Sequence, residues 1–237
     1  SALLITPEPV NDFVPLYRDS GSEDLVCGID MYDCEKLKIL KFDFLGLKTL
    51  TVIEKTLQLI AERHQKIVTL PAIPLDDEKV WNLFCRAETV GTFQTETEAM
   101  RVLLKKIQPR NIEELSVVNA MDRPGPLNKK MDDLYANRKF KRQKTEILHE
   151  SIEDILAPTY QTLVYQEQVM KIAEQFSGFS KYEADVLRKS MGKKKRELVI
   201  QMKEKFLSGA EKLGRPKDIA EKLFTVIEEF SEYAFNM

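Results

Sequence analysis

A carboxylate set between two aromatic residues is the first candidate for chemistry in this sequence. Asp43 lies in the apolar segment 38–45, which is typical of a short β-strand. Because side chains alternate along a strand, Phe42 and Phe44 share one face, and Asp43 shares the other with Lys41. We expect the aromatic face to point into a core and the face of Asp43 to be open.

Two chemical roles are compatible with that position. Two-metal phosphoryl transfer needs carboxylates fixed on rigid strands, because Mg²⁺ prefers oxygen ligands in octahedral geometry. The alternative is a plain exposed aspartate that pairs with Lys41. Lys41 lies about 7 Å from Asp43 along a strand, so it either forms that salt bridge or reaches a nucleotide triphosphate beside the metals.

A run of cations is the second candidate. Arg188 and Lys189 end a predicted helix that Gly192 terminates, and three lysines follow at 193–195. A glycine turn between helices lets backbone N–H groups and basic side chains converge on phosphates. The alternative is a solvated basic turn, which the dipole at a helix C-terminus also favours.

Two further segments place polar groups at defined positions. Arg123 precedes Pro-Gly-Pro, and the two prolines predict a rigid loop over 123–126. Its guanidinium would contact a phosphate or the template, or would cap a helix instead. Tyr165 and Gln168 lie at the start of a helix predicted over 164–177, where they contact a base or sugar or have a purely structural role.

The elements that position these residues change type along the chain. Short strands are predicted at 2–6, 25–30 and 38–45, and helical periodicity begins at residue 47. We expect an α+β fold that is mostly α-helical, with a strand-containing part at 1–46 and a helical part at 47–237. The pattern of capping residues predicts several helix N-termini: Asp76 or Asp77, Thr95 with Glu98, Asn111 with Glu114, and Ser180 with Glu183.

Charge is unevenly distributed. The formal net charge of −2 divides into −5 over residues 1–120 and +3 over 121–237. The basic excess lies around 129–144, read as a basic helix at 128–141, and around 181–205. Such clusters indicate a polyanion site in the second half, or simply two solvated helix faces.

Several classes of protein are excluded. The three cysteines lack zinc-type spacing, and the sequence has no Gly-x-Ser-x-Gly, P-loop or Rossmann fingerprint. No signal peptide and no apolar run of membrane-spanning length is found. We therefore expect a reduced, cytosolic protein without a membrane partner.

Five motifs in order carry a family resemblance. They are 41–51 (KFDFLGLKTLT), 91–96 (GTFQTE), 123–127 (RPGPL), 165–170 (YQEQVM) and 188–195 (RKSMGKKK). Together they closely resemble bacterial DNA polymerase III alpha subunits, the replicative C-family polymerases, and Phe-Asp-Phe-Leu-Gly resembles the DnaE type more than the PolC type. One departure is Lys189-Ser190, where many relatives have Arg-Ala.

The resemblance implies an internal fragment of such an enzyme, with the end of the palm at 1–46 and the fingers, truncated at their end, at 47–237. Both ends of the chain look cut from a longer protein. The implied partners are primer–template DNA, a dNTP and, through segments outside this chain, other holoenzyme subunits in the bacterial cytoplasm, associated with the nucleoid.

The resemblance also implies roles for individual residues. Asp43 would be the third of three catalytic, metal-binding carboxylates, and Mg²⁺ the cofactor. No Asp-x-Asp pair occurs in this sequence, so the two-metal site would be incomplete and the chain inactive alone. The implied nucleotide-binding residues are Lys41, Gln94, Arg123, Arg188, Lys189 and Lys193. The implied DNA-binding residues are Lys139, Lys141, Arg142, Tyr165, Gln168, Lys194 and Lys195.

Two functions outside catalysis fit the same residues. The chain could be a non-enzymatic helical module that binds nucleic acid, or a helical scaffold that binds proteins. A scaffold would have no affinity for DNA at low salt. A binding module would gain no polymerase activity when the upstream Asp-x-Asp segment is restored.

Overall fold

The chain folds into two units, Ser1–Leu70 and Pro71–Met237. The structure is a computed structural model that describes residues 2–21, 23–44, 46–145, 147–192 and 196–230. Over these residues it is mostly α-helical with four short strands, which confirms the predicted α+β class. The predicted division at residue 46 stays a prediction. No helix in these ranges combines the length and the apolar composition needed to cross a membrane.

The first unit contains two antiparallel strand pairs. Strand β1 (Ala2–Ile5) pairs with β4 (Leu40–Asp43), and β2 (Leu16–Arg18) pairs with β3 (Leu25–Cys27). In the first pair Ala2 is opposite Asp43. The strands β1, β3 and β4 were predicted one, three and four residues longer, respectively, than they are. Strand β2 was missed because it has only three residues, between Pro15 and Asp19.

The aromatic face of β4 does not lie in a core of this unit. Leu40, Phe42 and Phe44 are 55%, 45% and 63% exposed, so the expectation of a buried face behind Asp43 is wrong. The reason is that this sheet has two described strands, and a two-stranded ribbon covers neither of its faces.

Two helices complete the first unit. Helix α1 (Met31–Lys36) was not predicted; Asp30 caps it by accepting a hydrogen bond of 2.9 Å from the Asp33 N–H. Helix α2 (Lys48–His64) has the predicted apolar stripe, but none of its residues is buried.

The second unit is helical in every described element longer than three residues. Its helices are α3 (Glu78–Arg86), α4 (Glu98–Ile107), α5 (Ile112–Met121), α6 (Pro124–Asn128), α7 (Met131–Lys139), α8 (Glu153–Leu156), α9 (Gln166–Ser177), α10 (Lys181–Gly192), α11 (Arg196–Lys212) and α12 (Lys217–Phe230).

Capping residues set most of these helix starts. Asp77 caps α3 and Asn111 caps α5, as the sequence predicts. Ser180 and Glu183 form the predicted reciprocal pair before α10, with N···O distances of 2.8 and 3.3 Å. The cap predicted at Thr95 is wrong. Helix α4 begins at Glu98, and Thr97 caps it by accepting the Met100 N–H at 3.3 Å.

The Arg-Pro-Gly-Pro segment is helical, which corrects the loop predicted there. Arg123 is the N-cap residue of α6, and Pro124 occupies its first position. Prolines are tolerated in a first helical turn because the N–H groups there have no intrahelical acceptor. The segment is therefore a rigid one-turn helix.

Two hydrophobic clusters form the core of the second unit. One lies among α9–α12 and contains stacked Phe176 and Phe206, with ring centroids 5.8 Å apart. The other lies among α3, α4, α5 and α7. Helices α9 and α11 approach so closely that a Cβ at Gly209 would lie 2.1 Å from the Ser177 carbonyl oxygen.

A buried ion pair joins the elements around the second cluster. Glu114 of α5 and Lys139 of α7 are 7% and 8% exposed, and their charged atoms lie 2.8 Å apart. The Glu114 carboxylate also accepts the Arg110 N–H at 2.6 Å and the Tyr160 hydroxyl at 2.7 Å. One carboxylate thus holds together the start of α5, the end of α7 and the turn before α9.

The Lys139 ammonium is satisfied in the same way. It donates to Glu114 and to the carbonyl oxygens of Ile107, at 2.9 Å, and Gln108, at 2.7 Å, at the end of α4. Burial alone would raise the pKa of Glu114, but its hydrogen bonds with Lys139, Tyr160 and the Arg110 N–H outweigh burial and lower it.

Replacing Glu114 by glutamine should lower the free energy of unfolding by about 3 kcal/mol, because a buried ammonium loses its counter-charge. The folded-state pKa of Glu114 lies below its ordinary value of 4.5. Its contribution is therefore complete above that pH and is lost as the pH falls through the folded-state pKa. Urea unfolding at pH 7 and at decreasing pH should show the difference between wild type and variant shrinking.

The neighbouring Glu113 is exposed and supplies the matched control. Glu113→Gln should change the free energy of unfolding by less than ~0.5 kcal/mol. Equal effects of the two substitutions would contradict the central role of Glu114.

Candidate functional site

The carboxylate predicted to be catalytic is exposed and paired. Lys41 Nζ lies 2.6 and 2.7 Å from the two carboxylate oxygens of Asp43. The Asp43 side chain is 62% exposed and that of Lys41 33%. The salt-bridge alternative is therefore the geometry observed. An exposed pair of this kind stabilises a fold by only ~0–1 kcal/mol, so a stronger ligand can replace either partner.

The surroundings of Asp43 bear on whether this part of the protein could hold a metal by itself. Over the described ranges, no group of three or more His, Cys, Asp or Glu residues is arranged for metal binding. Mg²⁺ needs about six oxygen ligands, several from water and substrate, with one or two carboxylates as anchors. The residues described here therefore do not form a magnesium site by themselves.

A cation cluster on α10 is the most organised arrangement among the predicted residues. Arg188 Nε and Nη2 donate to one oxygen of Asp185 at 3.0 and 2.8 Å, and Lys189 Nζ lies 2.6 Å from the other. The Lys189 ammonium, and then the Arg188 guanidinium, lower the pKa of the Asp185 carboxyl. The carboxylate thus stays ionised and holds both cations at fixed positions.

Arg188 also connects α10 to the start of α9. Its Nη1 donates to Gln166 Oε1 at 3.2 Å, and its side chain remains 32% exposed. Asp185 and Gln166 therefore orient a guanidinium that still has accessible surface. Such a fork is the geometry that matches phosphate oxygens.

A cleft lies beside the same end of α9. It has a volume of about 680 Å³, and its lining includes Gln94, Ile112, Ser116, Val117, Asn119 and Tyr165. Gln94 is exposed and adopts a left-handed backbone with φ of 55°. Tyr165 directly precedes Gln166, so the cleft and the Arg188 cluster share one helix end.

Tyr165 and Gln168 are buried rather than at an exposed helix start. Gln168 Oε1 accepts the N–H groups of Val164, at 2.8 Å, and Tyr165, at 2.9 Å. Its Nε2 donates to Ile155 and Thr159 at 3.2 and 2.7 Å. With its amide used in these internal hydrogen bonds, Gln168 fits the structural alternative, and its DNA contact stays a prediction.

Tyr165 differs from Gln168 because it borders the cleft. Its side chain is 5% exposed, and burial raises the pKa of its hydroxyl to about 12. A base or sugar would therefore have to enter the cleft in order to contact the neutral phenol of Tyr165.

Part of the positive charge around residues 129–144 is not available at the surface. Helix α7 is shorter than the predicted helix 128–141, and its first turn carries Asp132 and Asp133, which pair with Lys106. Lys139, with a side chain only 8% exposed, makes three internal hydrogen bonds, which fit a structural role; its DNA contact stays a prediction. Lys141 and Arg142 remain exposed beyond the helix.

Arg142 is held at the surface by an aromatic ring. Its guanidinium carbon lies 4.9 Å from the centroid of Phe140, a cation–π contact that leaves the charge accessible. Arg123 is half-buried, and burial lowers the pKa of its guanidinium. The remaining predicted residues, Lys193, Lys194 and Lys195, lie outside the described residues.

The predicted site residues thus form three groups. Lys41 and Asp43 pair in the first unit; Arg188 and Lys189 share Asp185 in the second; and Gln94 and Tyr165 border one cleft. Asp185 was missed, although it precedes Arg188 by three and Lys189 by four residues. That helical spacing indicates such contacts and was the signal available.

Comparisons with known proteins match the chain along most of its length. The family described as "Bacterial DNA polymerase III alpha subunit finger domain" matches residues 49–214, and "Bacterial DNA polymerase III alpha NTPase domain" matches residues 1–46. The second match ends just after β4, and the first begins with α2.

Curated relatives agree with these matches. DNA polymerase III subunit alpha of Aquifex aeolicus is 43% identical over 236 residues, which cover 100% of this chain and 20% of the relative. The proteins of the same name from Escherichia coli K12 and Saccharopolyspora erythraea are 40% and 39% identical, with 99% of this chain covered and 21% and 20% of the relatives. The chain spans about a fifth of the length of these relatives, and it belongs to the bacterial DNA polymerase III alpha subunit family.

Proposed function

We propose that this chain is the part of a replicative DNA-directed DNA polymerase that supplies one metal-binding aspartate and the nucleotide-contacting face of the fingers. The observation that carries the proposal is the oriented Arg188 guanidinium on α10, inside the region that matches the finger domain. Family membership and the order of the five sequence motifs support it.

The reaction of the whole enzyme would be template-directed nucleotidyl transfer. The 3′-hydroxyl of a primer attacks the α-phosphate of a dNTP, and pyrophosphate leaves. Positioning and charge stabilisation supply most of the catalysis in such phosphoryl transfers. Mg²⁺, when bound in the whole enzyme, would neutralise the charge that develops on the phosphates.

Asp43 would supply one carboxylate ligand for that metal, and ligands from outside this chain would complete the site. Its exposure and its weak pairing with Lys41 support this role, because neither the fold nor a buried partner holds the carboxylate back. Lys41, when released from Asp43, would bind a phosphate oxygen of the nucleotide.

Arg188 and Lys189 would bind the triphosphate. Asp185 keeps both cations ordered in the free protein, so less side-chain entropy is lost when the anion arrives. Gln166 holds the opposite side of the guanidinium. Lys193 would add a further charge to the same anion.

The cleft beside α9 would accommodate the apolar parts of the nucleotide. Tyr165 and Gln94 border it, and a neutral phenol and an amide offer contacts to a base or sugar without net charge. Arg123, fixed at the start of α6, would contact the nucleotide at the far end of α5.

Lys141, Arg142, Lys194 and Lys195 would bind the phosphate backbone of primer–template DNA. The first two are exposed and lie together beyond α7. We place the whole enzyme in the bacterial cytoplasm at the nucleoid, where its other holoenzyme subunits bind through segments outside this chain.

Substituting Asp43 by asparagine in the full-length polymerase should lower the rate of primer extension by at least ~10³-fold, because the metal loses a charged ligand. The measurement is single-turnover extension of a labelled primer. This chain alone should extend no primer.

Asp19→Asn, an exposed aspartate of the same unit, is the control and should keep full activity. Full activity of Asp43→Asn would refute its catalytic assignment. An inactive full-length wild type would favour a non-enzymatic binding module.

Replacing Arg188 by lysine should raise the KM for dNTP about tenfold or more in the full-length enzyme, because one ammonium cannot reproduce the two-pronged guanidinium contact. The measurement is steady-state primer extension against dNTP concentration. Lys181→Gln, at the exposed start of the same helix, should leave KM unchanged. An unchanged KM for Arg188→Lys would remove the residue from the triphosphate site.

The affinity of this chain for primer–template DNA should be weak and should fall steeply with salt, because each phosphate contact releases condensed counterions. The double substitution Lys141→Gln and Arg142→Gln should reduce the slope of log K against log [salt] by about 1.8. Fluorescence anisotropy with a labelled duplex measures both quantities.

Lys55→Gln with Lys66→Gln, two exposed lysines of the first unit, removes the same charge as a control. Equal loss of slope in the two double variants would mean that binding follows net charge and not the proposed surface. A flat salt response of the wild type would refute phosphate binding altogether.

A further inference from the structure

Two cysteines of the first unit lie in contact. Cys27 ends β3 and Cys34 lies in α1, and their Sγ atoms are 3.8 Å apart. Both thiols are free. A disulfide requires a sulfur separation of about 2.05 Å. Side-chain rotations that bring the two Sγ atoms less than about 2 Å closer would therefore allow the bond to form. None of the roles proposed above uses either residue.

The backbone around the pair is fixed at both ends. The Gly28 N–H donates to the Pro15 carbonyl at 2.8 Å, which anchors the end of β3. The Asp30 carboxylate caps α1, and the Cys34 N–H donates to the Asp30 carbonyl at 3.1 Å. The approach of the two sulfurs is therefore built into the turn that joins β3 to α1.

From this geometry we propose that Cys27 and Cys34 are a redox modification site, a preformed dithiol that a peroxide oxidises to an intramolecular disulfide. The disulfide forms without rearrangement of the first unit. It would close the turn between β3 and α1 when the cell meets oxidative stress, and reduction by a thiol would open it again.

The two sulfurs have different parts in the reaction. Cys34 is 5% exposed, and burial, together with the neighbouring thiol and carboxylates, raises the pKa of its thiol. Cys27 is more accessible, so its thiolate attacks the peroxide first. The O–O bond breaks, Cys27 becomes a sulfenic acid, and one water leaves with the proton of the Cys27 thiol.

The second step forms the bridge. The Cys34 sulfur attacks the sulfenic sulfur of Cys27, the S–O bond breaks, and a second water leaves with the proton of the Cys34 thiol. Two thiols have then lost two electrons in total, and the peroxide has been reduced to two waters.

The test is oxidation of the complete chain with hydrogen peroxide, followed by mass spectrometry without a reductant. Trypsin releases residues 19–36 as one peptide with both cysteines, and its mass should fall by about 2 Da through loss of two hydrogens. Chymotryptic cleavage after Tyr32 should leave Cys27 and Cys34 on two fragments that separate only after reduction.

Cys85 supplies the matched control, since it lies in the second unit and its thiol contacts the Pro109 carbonyl. Cys85→Ser should form the bridge as the wild type does, whereas Cys27→Ser and Cys34→Ser should not form it. A 19–36 peptide that gains only oxygen atoms, or a cross-link to Cys85, would overturn the proposal.

Thermal unfolding of the oxidised and reduced wild type tests whether the dithiol is preformed. A bridge that fits the native geometry restricts the unfolded chain and should raise the midpoint of thermal unfolding by ~5 °C. A midpoint lower than that of the reduced protein would mean that the bridge distorts the unit, and the dithiol would then not be preformed.

Discussion

The second unit depends on one buried carboxylate. Glu114 neutralises Lys139 and accepts hydrogen bonds from the Tyr160 hydroxyl and from the Arg110 N–H, just before α5. Because a buried charge is costly unless it is paired and fully hydrogen-bonded, these elements can assemble only in an arrangement that satisfies all of its partners. The turn that ends at Tyr160 leads into α9, and the first residue of α9 is Gln166, which orients Arg188. The position of the cation proposed to meet the nucleotide is thus linked through short, rigid segments to a charge pair in the core.

Charge in this molecule has two distinct uses. The Lys139 ammonium donates all its hydrogen bonds to groups inside the protein and stabilises the packing of α4, α5 and α7. Arg188 and Lys189 are instead held by Asp185 at an accessible edge, where a carboxylate keeps them ordered without removing them from solvent. An incoming phosphate carries more charge than one carboxylate and can compete for the same donors. Arg142 belongs to the second use, but the uncharged ring of Phe140 holds it at the surface instead of a carboxylate.

The sequence predicted helix starts well wherever a capping side chain accepts a hydrogen bond from a backbone N–H a few residues away. Asp77, Asn111 and the Ser180–Glu183 pair begin their helices as expected, because a cap is decided within four residues. Burial was less predictable, since it depends on partners distant in sequence. Lys139 and Gln168 resemble solvent-exposed polar residues in any local window, yet their partners lie 25 and 13 residues away. The same holds for Phe42 and Phe44, whose exposure reflects the width of the sheet.

The pairing of β1 with β4 has a consequence for the order of folding. Ala2 is opposite Asp43, so the partner of the strand that bears the carboxylate is β1, which β2, β3 and α1 separate from it along the sequence. Closing so long a loop costs entropy before any hydrogen bond is gained, and non-local strand pairs therefore form late. Helices α1 and α2 can form from local contacts while that loop is still open. We therefore expect the carboxylate of Asp43 to reach its final orientation late in folding, after the neighbouring helices have formed.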